Sequence, residues 1–598
     1  MQTEADFAAV LLRAPRLWLA GLTIAAFANS LANGFVWLDH WQVESGGLIV
    51  HAWAELWSTM LQPLGAMPGW EGTAPYARPC VVLLLSAVHT LAGAYPPAYH
   101  VTLVLLHLTN VLLVYSVLSA LRIDRIMSFL AAAVFAVHPL QTAAVSWVSG
   151  IADPLFTVFT LLALRLQLAS ARGTGHAIGT RFGAVISFVC ALGAKETAVV
   201  FPLLLAVTYL LFPASLTARQ SRSAAERARA IVGAVAPFCI VLAGAAVYRQ
   251  EVLQAAAFGR SVADIPLSVR LWTLPRLLLS YLTLPLRLGS LTVCDDYALS
   301  FGWDASTALA LVAVGALCAA PFRSWRRSPP FVFGVSWMLL GLLPVLNIVP
   351  ILHYRADRFF YFPLIGWSLA VVLLLRGAMR AALQRSALVS LERLPFGVTI
   401  VAALGLLLLV GLTIRRNQAF ADDRTLFEST LQVSPFCREA RTALGDTYLR
   451  AGRYADAVAE YRQARAAQPG RISYVVVPKV LINLGMAELG RGEYMAADSA
   501  FREAHRLQPH LLHPLFGLGI ANLGLGRVET AAGWLEQAYA IAPDDPDVVL
   551  NLALSYDRLG RGAEALDMYR RYLDHAPQGQ ARIHAEQRVR VLSPTQQP

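Results

Sequence analysis

Leu444-Gly445-Asp446-Thr447-Tyr448-Leu449-Arg450-Ala451-Gly452-Arg453-Tyr454-Ala455-Asp456-Ala457-Val458-Ala459-Glu460-Tyr461-Arg462-Gln463-Ala464 returns in altered form down the C-terminal part of the chain. Its small and aromatic residues reappear as Gly485, Tyr494, Ala497, Phe501 and Ala504, then as Gly519, Ala531 and Ala538, then as Ala553, Tyr556, Ala565 and Tyr569. Gly452, Gly492, Gly526 and Gly560 stand 40, 34 and 34 residues apart, and Pro469, Pro509, Pro543 and Pro577 keep the same intervals. Two registers agreeing over four copies describe a helix-turn-helix unit whose neighbours pack small residues against large ones. The extra residues between the first two copies fit a linker at 471–477.

Thirty-four residues is the period of the tetratricopeptide unit, and four copies exceed the roughly three needed for an independent solenoid. Residues 438–579 therefore read as an α-solenoid, 416–437 as a linker to it, and the Gln-rich 580–598 as a flexible tail. Everything before Arg415 reads as membrane. The chain of 598 residues is 57% hydrophobic and only 15% charged, with a mean hydropathy of +0.53. That composition excludes an ordinary soluble protein. The formal charge of +11 sits on arginines in short loops between apolar runs, a positive-inside signature rather than a nucleic-acid footprint. Cys80, Cys190, Cys239, Cys294, Cys318 and Cys437 form no CxxC pair, so neither a zinc knuckle nor a disulfide framework is expected. The fold class is all-α: a polytopic membrane domain over 1–415, followed by the solenoid.

Runs long enough for a hydrocarbon core of about 30 Å occupy 15–32, 98–121, 152–170, 197–213, 230–247, 304–322, 330–349, 359–378 and 395–414. Shorter apolar pieces lie at 80–93, 127–139, 181–194 and 270–290. Basic loops at 122–125, 172–181, 219–229, 323–327 and 376–393 all reach the cytoplasm if 127–139 and 181–194 cross while 80–93 and 270–290 stay at the outer face. That arrangement gives about eleven crossings with the N-terminus inside, and keeps 15–32 as a membrane helix rather than a cleaved signal. The repeats then lie outside, on the periplasmic side of a bacterial inner membrane.

The same arrangement gathers 33–98, 138–153, 194–197, 248–303 and 350–358 on the outer face. Asp39, His40, Glu44, Arg78, His138, Asp153, Lys195, Glu196, His353, Arg355, Asp357 and Arg358 thereby share one compartment. An ionisable group inside the apolar slab costs about 2.5–3.5 kcal/mol, so such groups line a pocket or meet one another.

A first helix followed by an outer loop with an acidic residue, Gly34-Phe35-Val36-Trp37-Leu38-Asp39-His40, resembles the GT-C glycosyltransferases, which use lipid-phosphate sugars. Along the chain follow Tyr76-Ala77-Arg78-Pro79, Tyr99-His100, Leu106-His107-Leu108-Thr109-Asn110, Val137-His138-Pro139-Leu140-Gln141-Thr142 and Ser146-Trp147-Val148-Ser149-Gly150 with Asp153. Ala194-Lys195-Glu196-Thr197, Leu343-Pro344-Val345-Leu346-Asn347 and Arg355-Ala356-Asp357-Arg358-Phe359-Phe360-Tyr361-Phe362-Pro363 complete the set. In this order, with trailing repeats, the chain is similar to the transmembrane and tetratricopeptide-repeat O-mannosyltransferase family. The resemblance implies a dolichyl- or polyprenyl-phosphate mannose donor and a Ser or Thr hydroxyl on a protein acceptor. Members often carry two adjacent acidic residues in the first loop. Here Leu38 and His40 flank a single Asp39.

Such a transfer needs a base at the attacking hydroxyl and positive charge on the departing phosphate. Asp39 is the expected base, against a plain helix N-cap. His40 would help orient an acceptor, against an exposed loop histidine. Arg78, Arg355 and Arg358 are expected on the donor phosphate, because a planar, permanently charged fork suits it. Their alternatives are snorkelling for Arg78 and a structural ion pair around Asp357 for the other two. Lys195 and Glu196 form either a tight surface turn or part of the cavity wall. Glu44 and His353 complete the supporting set. His138 and Asp153 would support the site from behind or hold a divalent metal. With two or three candidate ligands no metal site is assigned.

The repeats would bind the acceptor and raise its local concentration, and the loop 248–268 would cover the site as a lid. The expected partners are the lipid-linked donor, a protein or peptide acceptor and membrane lipids, with no nucleic acid. A non-catalytic membrane scaffold recruiting envelope proteins is the alternative. A transporter is disfavoured because the helices show no inverted repeat.

Overall fold

The computed structural model describes residues 13–50, 55, 77–173, 177–213, 223–253, 265–324, 328–351, 353–385, 396–466, 470–473, 475–575 and 579–593. Most of the expected lid at 248–268 lies outside the described residues, as do Arg219, Arg222, Arg326, Arg327 and Arg393 of the basic loops. The chain divides into two compact units, Met1–Pro435 with Gly470–Tyr474, and Phe436–Pro469 with Val475–Pro598.

The first unit is helical: α1 (Pro15–Phe27), α2 (Pro79–Ala92), α3 (Pro96–Ala120), α4 (Arg125–Val137), α5 (Ala152–Ala171), α6 (Ala177–Ala194), α7 (Phe201–Leu211), α8 (Ala224–Leu253), α9 (Leu267–Thr283), α10 (Ala305–Ser324), α11 (Pro329–Leu342), α12 (Pro363–Arg385), α13 (Phe396–Asn417) and α14 (Asp423–Val433). Proline opens α1, α2, α3 and α11, where its missing N–H would have had no helical partner. Asp124 starts α4 by accepting from the Ile126 and Met127 N–H groups. The helix stops at His138, whose following Pro139 disfavours helical backbone.

The core forms where α3 packs against α1, α4 and α5, α6 pairs with α5, and α12 lies between α4 and α11. The α11–α12 crossing is close because two glycines face each other. A Cβ on Gly334 would sit 2.8 Å from the Gly366 carbonyl oxygen. Buried Asn417 ties the end of α13 to the end of α1. Its amide donates to Ala26 O (2.8 Å) and Asn29 Oδ1 (2.7 Å), and its oxygen accepts from Ser146 (2.7 Å).

By length and composition five helical stretches among the described residues can cross a membrane: Pro96–Ala120, Val148–Ala171, Ala224–Tyr248, Pro363–Ala381 and Gly397–Phe420. Arg125–Val137 and Pro139–Val145, bent by 51°, make a sixth if they form one span. The remaining expected crossings fall on shorter apolar helices, including Ile178–Ala194, Glu196–Leu211 and Pro329–Val345.

The second unit stacks helix pairs: α15 (Arg438–Arg450) with α16 (Tyr454–Arg465), α17 (Val477–Gly490) with α18 (Tyr494–Leu507), α19 (Leu512–Gly524) with α20 (Val528–Ile541), and α21 (Pro546–Arg558) with α22 (Gly562–His575). Each turn places Gly452, Gly492, Gly526 or Gly560 at φ between 70° and 76°, the left-handed backbone that fixes the stride. Gly445 and Gly485 make room for the rings of Tyr461 and Phe501, which are fully buried.

Three boundaries differ from the sequence reading. The expected linker 416–437 contains α14, capped by Asp422, with Leu426 and Phe427 buried in the first unit. Residues 470–474 belong to the first unit, where β1 (Tyr297–Ala298) pairs antiparallel with β2 (Arg471–Ile472). The expected flexible tail forms α23 (Gln580–Leu592), which packs on α22 and buries Ala585. Gln-rich composition hid an amphipathic helix there. Residues 594–598 lie outside the described residues.

Candidate functional site

Two structures converge in the first unit: a clamped acidic loop and a cluster of cations. The loop begins at Gly34, whose N–H donates to Ala421 O at 3.0 Å. Trp37 has a left-handed backbone, φ 55°, unusual for a bulky residue. Several contacts hold it there. Its N–H donates to Asp423 Oδ1 at 2.6 Å, and its indole stacks on Trp147 at 4.9 Å and 10° from parallel. Phe427 and His353 meet the same ring edge-on at 5.8 and 6.3 Å.

Asp39 is fully buried. Its Oδ1 accepts from the Ser149 N–H at 2.7 Å and from the Ser149 hydroxyl, and its Oδ2 accepts from the Val36 N–H at 3.2 Å. Burial pushes its carboxyl up to about 6, against the downward pull of the Ser149 and Val36 hydrogen bonds. It precedes the single turn His40–Glu44 but makes no side-chain cap bond. His40 is a strut rather than a loose loop histidine. Nδ1 meets Glu44 at 2.5 Å and Nε2 meets Asp423 at 3.2 Å. The Asp423 hydrogen bond, opposed by burial and helped by Glu44, lifts its imidazole to about 9.

The cations come from three separate stretches. Arg78, at the start of α2, bonds Glu196 at 3.2 Å across the α6–α7 break. Lys195 is buried and paired with Asp153 at 2.5 Å, its ammonium 5.2 Å from the centre of the Phe359 ring. Arg358 lies over Trp147 and Phe359, each at 5.1 Å, a cation–π arrangement. His353 sits within their field. Desolvation first, then Arg358, Arg78 and Lys195, hold its imidazole well below the usual histidine range. Glu196 Oε1 and Thr197 Oγ1 are buried without hydrogen-bond partners. Lys195 and Glu196 thus act as ion-pair partners of Asp153 and Arg78 at the α6–α7 break.

Two sequence expectations are corrected. Arg355 does not join Arg358: its guanidinium is buried between Asp295 (3.3 Å) and Asp357 (3.2 Å). Asp357 also accepts from the Thr292 N–H at 2.7 Å, so it fixes Arg355 and the 292 loop. The extended backbone at Ala356, ahead of a 3-10 turn, separates the two arginines. His138 is not among the residues these contacts join. Its Nε2 bonds Pro285 O at 3.1 Å, and its Nδ1 accepts from the Leu140 N–H.

Sequence reasoning missed Asp423, placing it in a linker, and gave no role to Trp37, Trp147 or Ser149. The Asp422-Asp423 pair opening a helix was the readable sign.

Tetratricopeptide repeat family models match residues 415–472 and 482–546, and residues 522–587. Protein O-mannosyl-transferase TMTC1 of Homo sapiens is 25% identical over 499 residues, 76% of this chain and 55% of that protein. Protein O-mannosyl-transferase Tmtc1 of Drosophila melanogaster is 32% identical over 209 residues, 33% of this chain and 23% of that protein. The chain is homologous to the TMTC proteins. It also matches TMTC2 of Mus musculus, at 27% identity over 27% of this chain and 19% of that one. The chain spans about half the length of the human TMTC1 relative, and less of the others. A match over 76% of the chain cannot be held by the repeats alone, so the TMTC homology enters the unit that carries Asp39 and Arg358. Among solved structures, the crystal structure of MamA aligns at TM-score 0.22 and 22% identity, over 25% of this chain and 84% of that one.

Proposed function

We propose that the chain is an integral-membrane glycosyltransferase of GT-C type. It moves a mannose-like sugar from a polyprenyl-phosphate donor to a protein hydroxyl on the outer face of the membrane, with the repeats binding the acceptor. The observation that carries this is the gathering of Arg78, Lys195 and Arg358 around His353 in a chain homologous to protein O-mannosyl-transferases. Arg78 pairs with Glu196 and Lys195 with Asp153, and together with Arg358 these cations act on His353, the kind of field a departing phosphate needs. Arg358, laid over two aromatic faces, offers a fork suited to phosphate oxygens. Lys195 and Arg78 add field.

In the transfer, the acceptor oxygen bonds the anomeric carbon as the carbon–phosphate-oxygen bond breaks, and the phosphate leaves with the electron pair. Asp39 takes the acceptor's proton, the hydroxyl replacing Ser149 Oγ on Oδ1. A carboxyl lifted to about 6 by burial is matched to that role near neutral pH. The site faces the outer side if the eleven-crossing topology holds, which also puts the repeats there.

The test is transfer of labelled mannose from polyprenyl-phosphate mannose to a Ser/Thr peptide by the full chain in proteoliposomes. Transfer by the wild type and its loss in Arg358→Ala are expected. No transfer from any polyprenyl-phosphate sugar would overturn the enzyme and leave a scaffold.

A further inference from the structure

Two thiols meet where α2 starts and α6 ends. Cys80 is the second residue of α2, directly after Pro79, and Cys190 lies one turn before the Ala194 end of α6. The two helices pack on each other. Gly193 lets them come close: a Cβ there would sit 3.0 Å from Cys80 Sγ and 3.3 Å from Pro79 Cγ. Cys190 stands three residues before Gly193, on the same helix face. Its thiol is a hydrogen-bond partner of the Cys80 thiol. Both residues are half-buried thiols rather than sealed core residues. The sequence hides the pair, because its members are far apart in the chain and share no CxxC spacing. The contact lies beside the cationic cluster. Arg78, two residues before Cys80, bonds Glu196 at 3.2 Å, and Lys195 and Glu196 directly follow the end of α6. A bond between the two sulfurs would therefore fasten both sides of the Arg78–Glu196 pair at one point.

We propose that Cys80 and Cys190 are a modification site, oxidised to a disulfide that staples α2 to α6. Bridged cysteines need Cα atoms about 4.4–6.8 Å apart, a spacing that a close helix crossing such as the one at Gly193 supplies. The oxidant is a disulfide compound of the outer compartment, the side to which the expected topology assigns 33–98 and 194–197. One cysteine thiolate attacks a sulfur of that compound, releasing half of it as a thiol and leaving a mixed disulfide. The second cysteine then displaces the other half. The protein loses two S–H bonds and gains one S–S bond, while the oxidant takes up the two electrons and two protons as a pair of thiols. The new bond closes the chain from 80 to 190 into a loop and so restricts the unfolded state.

The full chain in nanodiscs is incubated with oxidised glutathione, or with reduced glutathione as control, then alkylated and mapped by mass spectrometry without reduction. In the oxidised sample the peptides carrying Cys80 and Cys190 are expected as one linked species, lighter by two hydrogens than the two free peptides together. The oxidised protein should also melt several degrees above the reduced one. Cys80→Ser and Cys190→Ser should each abolish that difference, and Cys239→Ser, at an exposed position of α8, should keep it. Free or glutathione-capped Cys80 and Cys190 in the oxidised sample overturn the proposal, as does a link from either to another cysteine. So does a link with no rise in melting temperature, because the bond would then fasten nothing. Mapping and melting of the wild type decide the matter even where a serine variant fails to fold.

Discussion

The indoles of Trp37 and Trp147 lie 4.9 Å apart and nearly parallel, and this stack joins the acidic loop to the cationic cluster. Trp37 sits two residues before Asp39, and Trp147 carries the guanidinium of Arg358 over its ring. The carboxylate and the phosphate-binding candidate are thus positioned by one aromatic pair, although they come from distant parts of the chain. Trp147→Ala should cost about 3–5 kcal/mol of stability, the usual range for a deleted core aromatic, since its side chain is 2% exposed. Trp147→Phe keeps a ring under Arg358 and should keep most of both stability and transfer. Thermal unfolding in detergent and the mannose-transfer assay read the two effects.

Asp39→Asn should act through pH. The folded carboxyl is raised to about 6 from 3.8, so the native state favours the protonated form. Its contribution is fully favourable below 3.8 and is lost as pH rises through 6. At neutral pH the ionised, buried group costs roughly 3 kcal/mol relative to the low-pH state. The stability difference between Asp39→Asn and wild type should therefore move in favour of the variant over that window, by up to that amount. Wild-type transfer should rise through about pH 6, while the variant is flat and slower by roughly 10²–10⁴-fold. A wild-type profile with no limb near 6 removes Asp39 as base.

His40 gives a slope of the same sign at higher pH. Its imidazole is raised to about 9 from 6.5, chiefly by the Asp423 hydrogen bond. The stabilisation is complete below 6.5 and disappears as pH rises through 9. Wild-type melting temperature should fall over that interval, and Asp423→Asn should flatten the fall by removing the main partner. Parallel melting curves for the two proteins from pH 6 to 9.5 would dismiss the His40–Asp423 clamp.

Arg355 and Arg358 should separate cleanly. Arg355→Ala leaves Asp295 and Asp357 facing a hole and should cost about 3–5 kcal/mol, the range for a broken buried pair. Arg358→Ala removes a side chain held over two rings and should leave folding nearly intact while donor affinity drops. Melting curves together with binding of a fluorescent polyprenyl-phosphate analogue distinguish the two. Equal destabilisation by both would mean that Arg358 is structural as well.

The solenoid was legible because period and composition act locally: a glycine at positive φ and a small residue under an aromatic ring leave the same mark in every copy. The apolar helices were legible for the same reason. Legibility ended where partners are far apart in sequence. Arg355 and Arg358 are three residues apart and chemically identical, yet one is consumed by Asp295, sixty residues upstream, which no spacing rule announces. His138 looked free because its partners are backbone groups, one of them at Pro285. Asp423 was hidden by lying just beyond the last membrane run, where a linker was the simplest reading. The loop motif around Asp39 was visible as a motif, but its clamp was not.

Removing α23 tests whether that helix protects the face of the last helix pair. A stack of repeats needs a cap, because its last helix pair would otherwise expose the face that binds the next pair. Here Ala585 is fully buried, Val589 and Leu592 pack on the last cluster, and Arg588 grips both oxygens of Asp557 at 2.6 Å. Truncation after residue 578 should uncover the α22 face near Tyr569 and Tyr572, lowering the melting temperature of the repeat unit and opening Arg570 and Arg571 to trypsin. Arg588→Ala alone should cost only about 1 kcal/mol, since the pair is partly solvated. Proteolysis of the truncated and full chains in the same nanodiscs decides it: equal resistance at those arginines would return 580–592 to the status of a dispensable tail.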